Sequence, residues 1–389
     1  MEVVLTHTIS ISPFTLLTRL VVVSSFLILS TFINVPIRAD DQLNENSIIT
    51  ISQLSNQDVR VFVDGLFFAE YRADYKGTPI VWPICGINQT LTTRAWPMIE
   101  DIDINDESDS DMKVVYQNAL ISERGGVKDH PHHRSLWFNH GNVLGGDFWS
   151  GTQSYIKQSQ LLDARTDGKT ATIETENYWF NARLNRYICR DIRNIVFGVL
   201  FVEGKIVRYI DFSVTIFALE NGVIFGDTKE GSFGIRVPSP TAMSTKKLNP
   251  NWGGSILNDA GETAEKVWGK RSKWVNYTGP AERFLTGKEL VTELQKGNEA
   301  SDFPLTQIGI AVLSGPSSLG KLGWSHVRDY GLFACNPFGK HDFESQNSQE
   351  SGEQILNKNE SLTFSYRVLF HSGNLTNEDL NRIYQEYNK

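Results

Sequence analysis

Residues 210–216 have the sequence IDFSVTI, and residues 362–370 have the sequence LTFSYRVLF. In both segments apolar side chains occupy the even-numbered positions, and mostly polar side chains separate them. A period of two places alternate side chains on opposite faces of an extended chain, so each segment predicts a β-strand with one buried face. Clusters of Gly, Asn, Asp and Pro separate the other short apolar runs. We therefore predict an all-β fold, a large antiparallel β-sandwich or supersandwich.

Two local signals refine this prediction. Asp167 and Gly168 stand between short apolar runs and predict a β-hairpin. Residues 376–379, TNED, resemble a helix capping box, and the apolar residues that follow fall on one helical face. Those residues are Leu380, Ile383, Tyr384 and Tyr387. We expect one short C-terminal helix to close the sandwich.

The N-terminus has the pattern of an export signal. Arg19 precedes an apolar stretch over residues 20–35, and Ala39 offers a small residue for cleavage. We predict a signal peptide over residues 1–39 and a single domain over residues 40–389, exported to the periplasm or the extracellular space. An uncleaved N-terminal membrane anchor is the alternative. No later apolar run approaches the roughly 18 residues of a membrane helix, so no integral membrane domain is expected beyond the signal.

Composition narrows the possible partners. The 37 basic and 45 acidic residues give a formal net charge of −8, with no basic block, which argues against a nucleic-acid partner. Three widely spaced cysteines do not encode a disulfide framework or a zinc ribbon, and we assign them no chemistry. Residues 100–111 carry seven acids, but they lack the Gly and the Glu of a calcium loop, so a solvated acidic insertion is expected.

The segment that carries chemistry is residues 129–141, DHPHHRSLWFNHG, in which four of the eight histidines fall within eleven residues. On an extended strand His130 and His132 would point to one side and His133 to the other. Imidazoles serve as general acids, general bases or metal ligands, and the spacing leaves these roles open. Alternatively, the histidines hydrogen-bond the loop backbone around Pro131.

Three other segments combine ionisable, aromatic and glycine residues. Residues 228–236, TKEGSFGIR, place Glu230 as either a proton carrier or a salt-bridge partner in a turn. Residues 324–331, WSHVRDYG, again mix aromatic, His and Arg residues, and residues 336–341, NPFGKH, add a Pro-Gly loop.

Together with 147–149, DFW, these motifs resemble the bacterial family labelled PmoA-like, or "methane oxygenase PmoA". The resemblance runs from about residue 59 to residue 372 and includes Thr93, Arg94 and Met98. It implies a β-sandwich similar to galactose-mutarotase-like supersandwiches, whose sites use His with a carboxylate on sugar rings. The chain departs from the family pattern at its acidic segment and at Ser135 and Cys335, where Gly and Ala are common.

The leading hypothesis is an exported carbohydrate-active enzyme that acts on a saccharide or glycan by acid/base chemistry, with hydrolase, lyase and epimerase left open. The predicted catalytic residues are His132, Glu230 and His326. The predicted substrate-binding residues are Arg134, Trp137, His140, Arg328 and Asn336.

Two alternatives stay open. One is a metal-dependent oxidoreductase in which His130, His132 and His140 bind a divalent metal. The other is a non-catalytic glycan-binding module whose Trp and Tyr rings stack on sugar. For either enzyme we expect Arg134, Glu230, His326 and Arg328 to line one concave pocket with His132, because charged groups are seldom buried without partners.

The export prediction is tested on protein purified from its native cells. If residues 1–39 are cleaved, intact-mass spectrometry finds an N-terminus near Asp40. An intact Met1 in the membrane fraction would support the anchor instead.

Overall fold

A computed structural model of the chain describes residues 43–151, 153–296, 303–344 and 351–389. The predicted signal peptide over residues 1–39 lies outside this part of the chain. The strands are β1 (Ile49–Gln53), β2 (Val59–Val63), β3 (Leu66–Arg72), β4 (Ile80–Ile84), β5 (Leu136–His140), β6 (Tyr155–Thr166), β7 (Thr170–Asn181), β8 (Arg186–Val202), β9 (Lys205–Ala218), β10 (Val223–Phe225), β11 (Gly231–Arg236), β12 (Ser255–Asn258), β13 (Trp274–Glu282), β14 (Leu305–Ser317), β15 (Trp324–Val327), β16 (Leu332–Asn336), β17 (Gln354–Leu356) and β18 (Ser361–His371). The α-helices are α1 (Ser110–Ser122), α2 (Gly287–Gln295), α3 (Lys340–Phe343) and α4 (Asn377–Tyr387).

Two eight-stranded antiparallel sheets form the sandwich. Sheet A has the order β1-β2-β3-β4-β5-β11-β16-β15, and sheet B has the order β12-β13-β14-β18-β9-β8-β7-β6. Their facing surfaces share one apolar core, in which Phe138 of sheet A stacks on Phe212 of sheet B and Phe233 stacks on Tyr366. The predicted all-β sandwich is confirmed.

The local predictions in sheet B are also confirmed. The alternating segments 210–216 and 362–370 fall in β9 and β18, which pair with each other. Asp167 and Gly168 lie in the turn between β6 and β7. Thr376 caps α4 in a capping box with Asp379, and the apolar face of α4 packs on sheet B.

Helix α1 is the main element that the alternation does not predict. Asp109 caps its N-terminus by accepting from the backbone N–H groups of Asp111 and Met112. Glu107 and Asp109 also form ion pairs with Arg60, at 2.8 and 3.4 Å. The acidic segment is mostly exposed to solvent, as the sequence predicts, but Glu107 and Asp109 bind it to the body of the sandwich.

Two further features bear on the cysteine and membrane predictions. Cys85, Cys189 and Cys335 are buried and unbridged. Within the described ranges, none of the helices is long and apolar enough to span a bilayer.

The capping box gives a stability prediction. Thr376 Oγ1 accepts from the N–H of Asp379 at 3.2 Å, and Asp379 Oδ2 accepts from the N–H of Thr376 at 2.9 Å. We expect Thr376→Ala to lower the free energy of unfolding by about 1 kcal/mol, measured in urea, because it leaves a helix N–H without its acceptor. Thr376→Ser retains the hydroxyl and is the control; an equal loss in both variants would contradict this role.

Candidate functional site

The central strands of sheet A bring the sequence motifs side by side. Across β5, β11, β16 and β15, Trp137 lies opposite Gly234, Gly234 opposite Ala334, and Ala334 opposite His326. The alternate residues of these strands pack in the core between the sheets, so this row lies on the outer face of sheet A. Gly234 lies beneath the Trp137 indole, where a Cβ atom would be 2.6 Å from the ring. Arg236, two positions along β11, follows on the same face.

The histidine segment that precedes β5 is a turn. The N–H of His133 donates to the carbonyl of His130 at 2.9 Å, with Pro131 at the second turn position. The predicted extended strand is wrong here, because proline fixes its φ near −65° and favours this turn position. The turn gathers three imidazoles: His130 stacks on His133 at 4.8 Å between ring centroids, and His132 meets both edge-on.

The side chain of Arg94 holds this turn from below. It is 0% exposed, and its guanidinium donates to the backbone carbonyls of Val127, Asp129, His130 and His133 at 2.8 to 3.4 Å. It also forms an ion pair with Asp129 Oδ1 at 2.9 Å. Because a buried guanidinium needs an acceptor for each of its donors, this charge fixes the backbone of residues 127–133.

Asp129 is shared between two arginines and a histidine. Its Oδ1 also accepts from Arg236 Nη2 at 2.5 Å, and its Oδ2 lies 3.1 Å from His130 Nδ1. Burial favours the neutral acid, but the guanidinium groups of Arg236 and Arg94 outweigh it and hold the pKa of Asp129 below its usual value. Asp129 is therefore a carboxylate at neutral pH.

Arg236 also fixes the tautomer of His133. Arg236 Nη1 lies 3.1 Å from His133 Nδ1. A guanidinium only donates hydrogen bonds, so Nδ1 must accept and Nε2 carries the proton. Burial lowers the pKa of His133, and the charge of Arg236 lowers it further, so the ring stays neutral.

Tyr330 connects this cluster to two predicted site residues. Its ring is parallel to that of His130 at 4.8 Å, and the guanidinium carbons of Arg236 and Arg328 lie 5.0 and 5.8 Å from its centroid. Burial raises the pKa of Tyr330; the nearby positive charges oppose this shift, and Glu230 reinforces it. Glu230 and Arg328 therefore lie within electrostatic reach of the ring that covers His130.

His132 lies at the rim of the cluster. It is half-buried and makes no hydrogen bond with any described residue. Burial, followed by the neighbouring His130 and Arg134, lowers the pKa of His132 to about 4. Its imidazole is thus a neutral base at physiological pH.

Three other predicted residues serve the fold. Arg134 Nη1 donates to the carbonyls of Tyr75 and Lys76, both at 3.1 Å, and so holds the turn over residues 75–77. Trp137 is buried against His133 and Trp149. Asn336 donates to the carbonyl of Thr228 at 2.7 Å and accepts from the N–H of Phe338 at 2.9 Å. These contacts position loops around the cluster.

The other two histidines predicted as site residues, His140 and His326, are enclosed. His326 is 2% exposed and lies beside Phe343, with its Nδ1 buried and without a hydrogen-bond partner among the described residues. His140 lies in the core, where Nε2 is 2.8 Å from the carbonyl oxygen of Gly226 and Nδ1 is 3.3 Å from Ser232 Oγ. The structure thus places His132 against His130, brings Glu230 and Arg328 within electrostatic reach of Tyr330, encloses His326 and turns Arg134 toward another loop.

The proposed metal ligands do not meet. His140 shares the inner face of β5 with Leu136 and Phe138, whereas His130 and His132 belong to the turn beside Tyr330. Within the described ranges, no group of three or more His, Cys, Asp or Glu residues is arranged to hold a metal ion.

Sequence reasoning missed the residues that organise the cluster. Asp129, His133, Arg236 and Tyr330 all lie inside the motifs, but only the neighbouring residues were assigned roles. Pro131 was a usable signal for the turn. No local signal pairs Arg94 with residues 127–133, because that contact is formed only by the tertiary fold.

These features define a class of protein: a two-sheet antiparallel β-sandwich with an arginine-anchored histidine cluster on the outer face of one sheet. The chain belongs to DUF6807, a family of unknown function whose model matches residues 58–385. That match does not test the resemblance to the PmoA-like proteins, which stays a prediction.

Similar solved structures are distant. A galactose mutarotase-like protein from Clostridium acetobutylicum is 11% identical with a TM-score of 0.33, and the match covers 85% of this chain and 100% of that protein. A polysaccharide lyase is 12% identical with a TM-score of 0.28, and the match covers 89% of this chain and 35% of the lyase. Neither similarity carries a functional argument at these values. No curated protein matches the chain.

The enclosed histidines predict a pH-dependent stability. Burial lowers the pKa of His140 to about 4 and that of His326 to about 3. Below the unfolded value of about 6.5 the unfolded chain binds protons that the folded protein excludes, so stability falls as the pH falls from about 6.5 toward 4. Each histidine contributes at most about 1.4 kcal/mol per pH unit. Urea unfolding at pH 7.5, 6 and 5 measures the slope, and constant stability over this range would contradict it.

Proposed function

We propose that this protein is an exported carbohydrate-active enzyme that acts on a saccharide by acid/base chemistry, with His130 Nε2 as the general base. The observation that carries the proposal is the Asp129–His130 contact of 3.1 Å, in a pair held by two buried guanidinium groups. Export rests on the predicted signal peptide. The base differs from the sequence prediction, which assigned proton transfer to His132, Glu230 and His326.

The hydrogen-bonding roles follow from the charges. An ionised Asp129 can only accept, so His130 Nδ1 donates to it and His130 Nε2 holds the free lone pair. The ring stacks on Tyr330 and on His133, whose own centroids lie 6.2 Å apart, and these two contacts fix its plane, yet its side chain is 40% exposed. A fixed, accessible imidazole with an orienting carboxylate is the arrangement that general-base catalysis requires.

The neighbouring groups can bind a sugar. Arg328 forms no hydrogen bond or ion pair through its guanidinium with the described residues, so it can anchor a substrate oxygen. His132, neutral at physiological pH, can accept a hydrogen bond from a hydroxyl. Glu230 is 39% exposed and lies 3.5 Å from Lys229 Nζ. The carboxyl group of Glu230 can accept a hydrogen bond from a sugar hydroxyl. In the proposed reaction His130 Nε2 takes a proton from the substrate, and the resulting imidazolium, paired with Asp129, returns that proton to the product or to the leaving group.

This geometry does not support the metal-dependent oxidoreductase, and it is compatible with the glycan-binding module. Binding of one metal by His130, His132 and His140 is not supported, because His140 lies in the core with both ring nitrogens in contact with protein atoms. A non-catalytic glycan-binding module would use the same polar groups for binding without turnover. The experiment below distinguishes it from an enzyme.

The test is a product screen on soluble polysaccharides, with reducing-sugar, ultraviolet and NMR readouts for hydrolysis, elimination and epimerisation. We expect His130→Ala to lower kcat about 100-fold or more while the melting temperature stays within a few degrees, because the exposed ring adds little to packing. His132→Ala should raise KM more than it lowers kcat. His341→Ala, a half-exposed histidine on α3, is the matched control and should leave both constants unchanged.

Unchanged turnover in His130→Ala, or an equal loss in His341→Ala, would contradict the assignment of the base. Glycan binding by the wild-type protein without any product would contradict an enzymatic function and favour the binding module.

A further inference from the structure

Three aromatic side chains form a cross-strand row on the outer face of sheet B. Tyr155 of β6 lies opposite Phe180 of β7, and Phe180 lies opposite Tyr187 of β8. Tyr155 and Phe180 stack at 4.9 Å, Tyr187 meets Phe180 edge-on at 5.3 Å, and Tyr178 packs beside Tyr187. We call Tyr155, Phe180 and Tyr187 the aromatic row.

The aromatic row faces solvent. Trp179, which alternates with these positions on β7, is buried in the core, whereas Tyr155 and Phe180 are half-buried and Tyr187 is 41% exposed. Farther along β7 the solvent-facing positions carry Thr and Glu. Cross-strand aromatic pairs stabilise a sheet only modestly, so sheet pairing alone gives little reason to concentrate rings at this end.

The aromatic row and the histidine cluster lie on the outer faces of different sheets, and one turn at the edge of the sandwich connects them. Arg134, adjacent to His133, holds the carbonyls of Tyr75 and Lys76 from one side. On the other side, the carbonyl of Gly77 accepts from the N–H of Ile156 at 2.9 Å. A Cβ atom at Gly77 would lie 2.8 Å from that of Tyr155, so the turn fits closely against β6.

We propose that the aromatic row binds sugar rings of a glycan chain whose neighbouring units extend over the turn of residues 75–77 toward His130. This inference rests on the proposed function and names its substrate class, an oligosaccharide or polysaccharide rather than a free monosaccharide. Aromatic faces pack against the apolar C–H faces of pyranose rings. The phenol groups of Tyr155 and Tyr187 can also form hydrogen bonds with sugar hydroxyls.

The size of the surface favours a glycan over a protein partner. An aromatic side chain contributes at most about 150–250 Å² when fully covered, and these rings are already half-buried. A stable protein interface buries about 800 Å² on each partner. The adjoining positions are charged: Lys157 is exposed, and Glu176 pairs with Arg190 at 2.9 Å. A second copy of the chain would find too little apolar area here.

The experiment is affinity electrophoresis of the full exported protein in native gels that each contain one soluble polysaccharide: β-glucan, xylan, galactomannan, starch or pectin. We expect at least one gel to retard the wild-type protein. In that gel the double variant Tyr155→Ala/Tyr187→Ala should bind roughly tenfold more weakly. Phe201→Ala, an equally exposed aromatic residue elsewhere on β8, is the matched control and should bind as wild type. Tyr187→Phe, which retains the ring, should keep most of the binding.

Retardation of the wild type by none of the gels, or equal retardation of the double variant, overturns the inference. If the melting curve shows that the double variant is unfolded, binding by the single variants Tyr187→Ala and Tyr187→Phe decides the question, and equal weakening in both overturns stacking.

His130→Ala separates the two proposals. Retained binding with lost turnover supports both, and retained binding without wild-type turnover leaves only the aromatic row. If binding is lost in His130→Ala and retained in the double variant, the ligand binds only at the histidine cluster and the inference fails. A double variant that is monomeric while the wild type is dimeric would assign the row to a second copy and overturn the inference.

Discussion

The guanidinium of Arg94 is the group on which the histidine cluster depends. It is fully enclosed, and most of its acceptors are backbone carbonyls of residues 127–133. Burying a cation without its hydrogen-bond acceptors costs several kcal/mol of folding free energy. The turn of residues 127–133 and the buried position of the Arg94 side chain therefore depend on each other. The neighbouring carboxylate of Asp129 partly balances this charge and that of Arg236. It thereby joins in one ion cluster residues that lie more than 100 positions apart in the chain.

This ion cluster sets the chemistry of the rings above it. Because both arginines bind Asp129 through one oxygen, the other oxygen is left for His130. Because Arg236 donates to His133, that ring is held neutral and provides a flat support for His130. Three imidazoles close in sequence thus have different environments. A carboxylate orients His130, a guanidinium fixes His133, and His132 lies at the rim without a hydrogen bond to a described residue.

Local patterns predicted the parts of the structure that local physics determines. Alternation predicted β9 and β18, and the residues TNED predicted the start of α4, because side-chain period and capping act over a few residues. The same alternation of buried and exposed positions, applied to β5, predicts that His140 lies in the core with Leu136 and Phe138. The tautomer of His133 and the partners of Asp129 could not be predicted, since they depend on Arg94 and Arg236, which only the assembled sheet brings near.

The contact between Gly234 and Trp137 links the composition of two neighbouring strands. The indole occupies the space in which a side chain at position 234 would stand, so one position can grow only if the other shrinks. Related sequences that keep this sheet should therefore exchange size between the two positions as a pair. A small residue at position 137 opposite an aromatic residue at position 234 would transfer the aromatic side chain from β5 to β11. The histidine cluster would then pack against a differently placed ring on the same sheet.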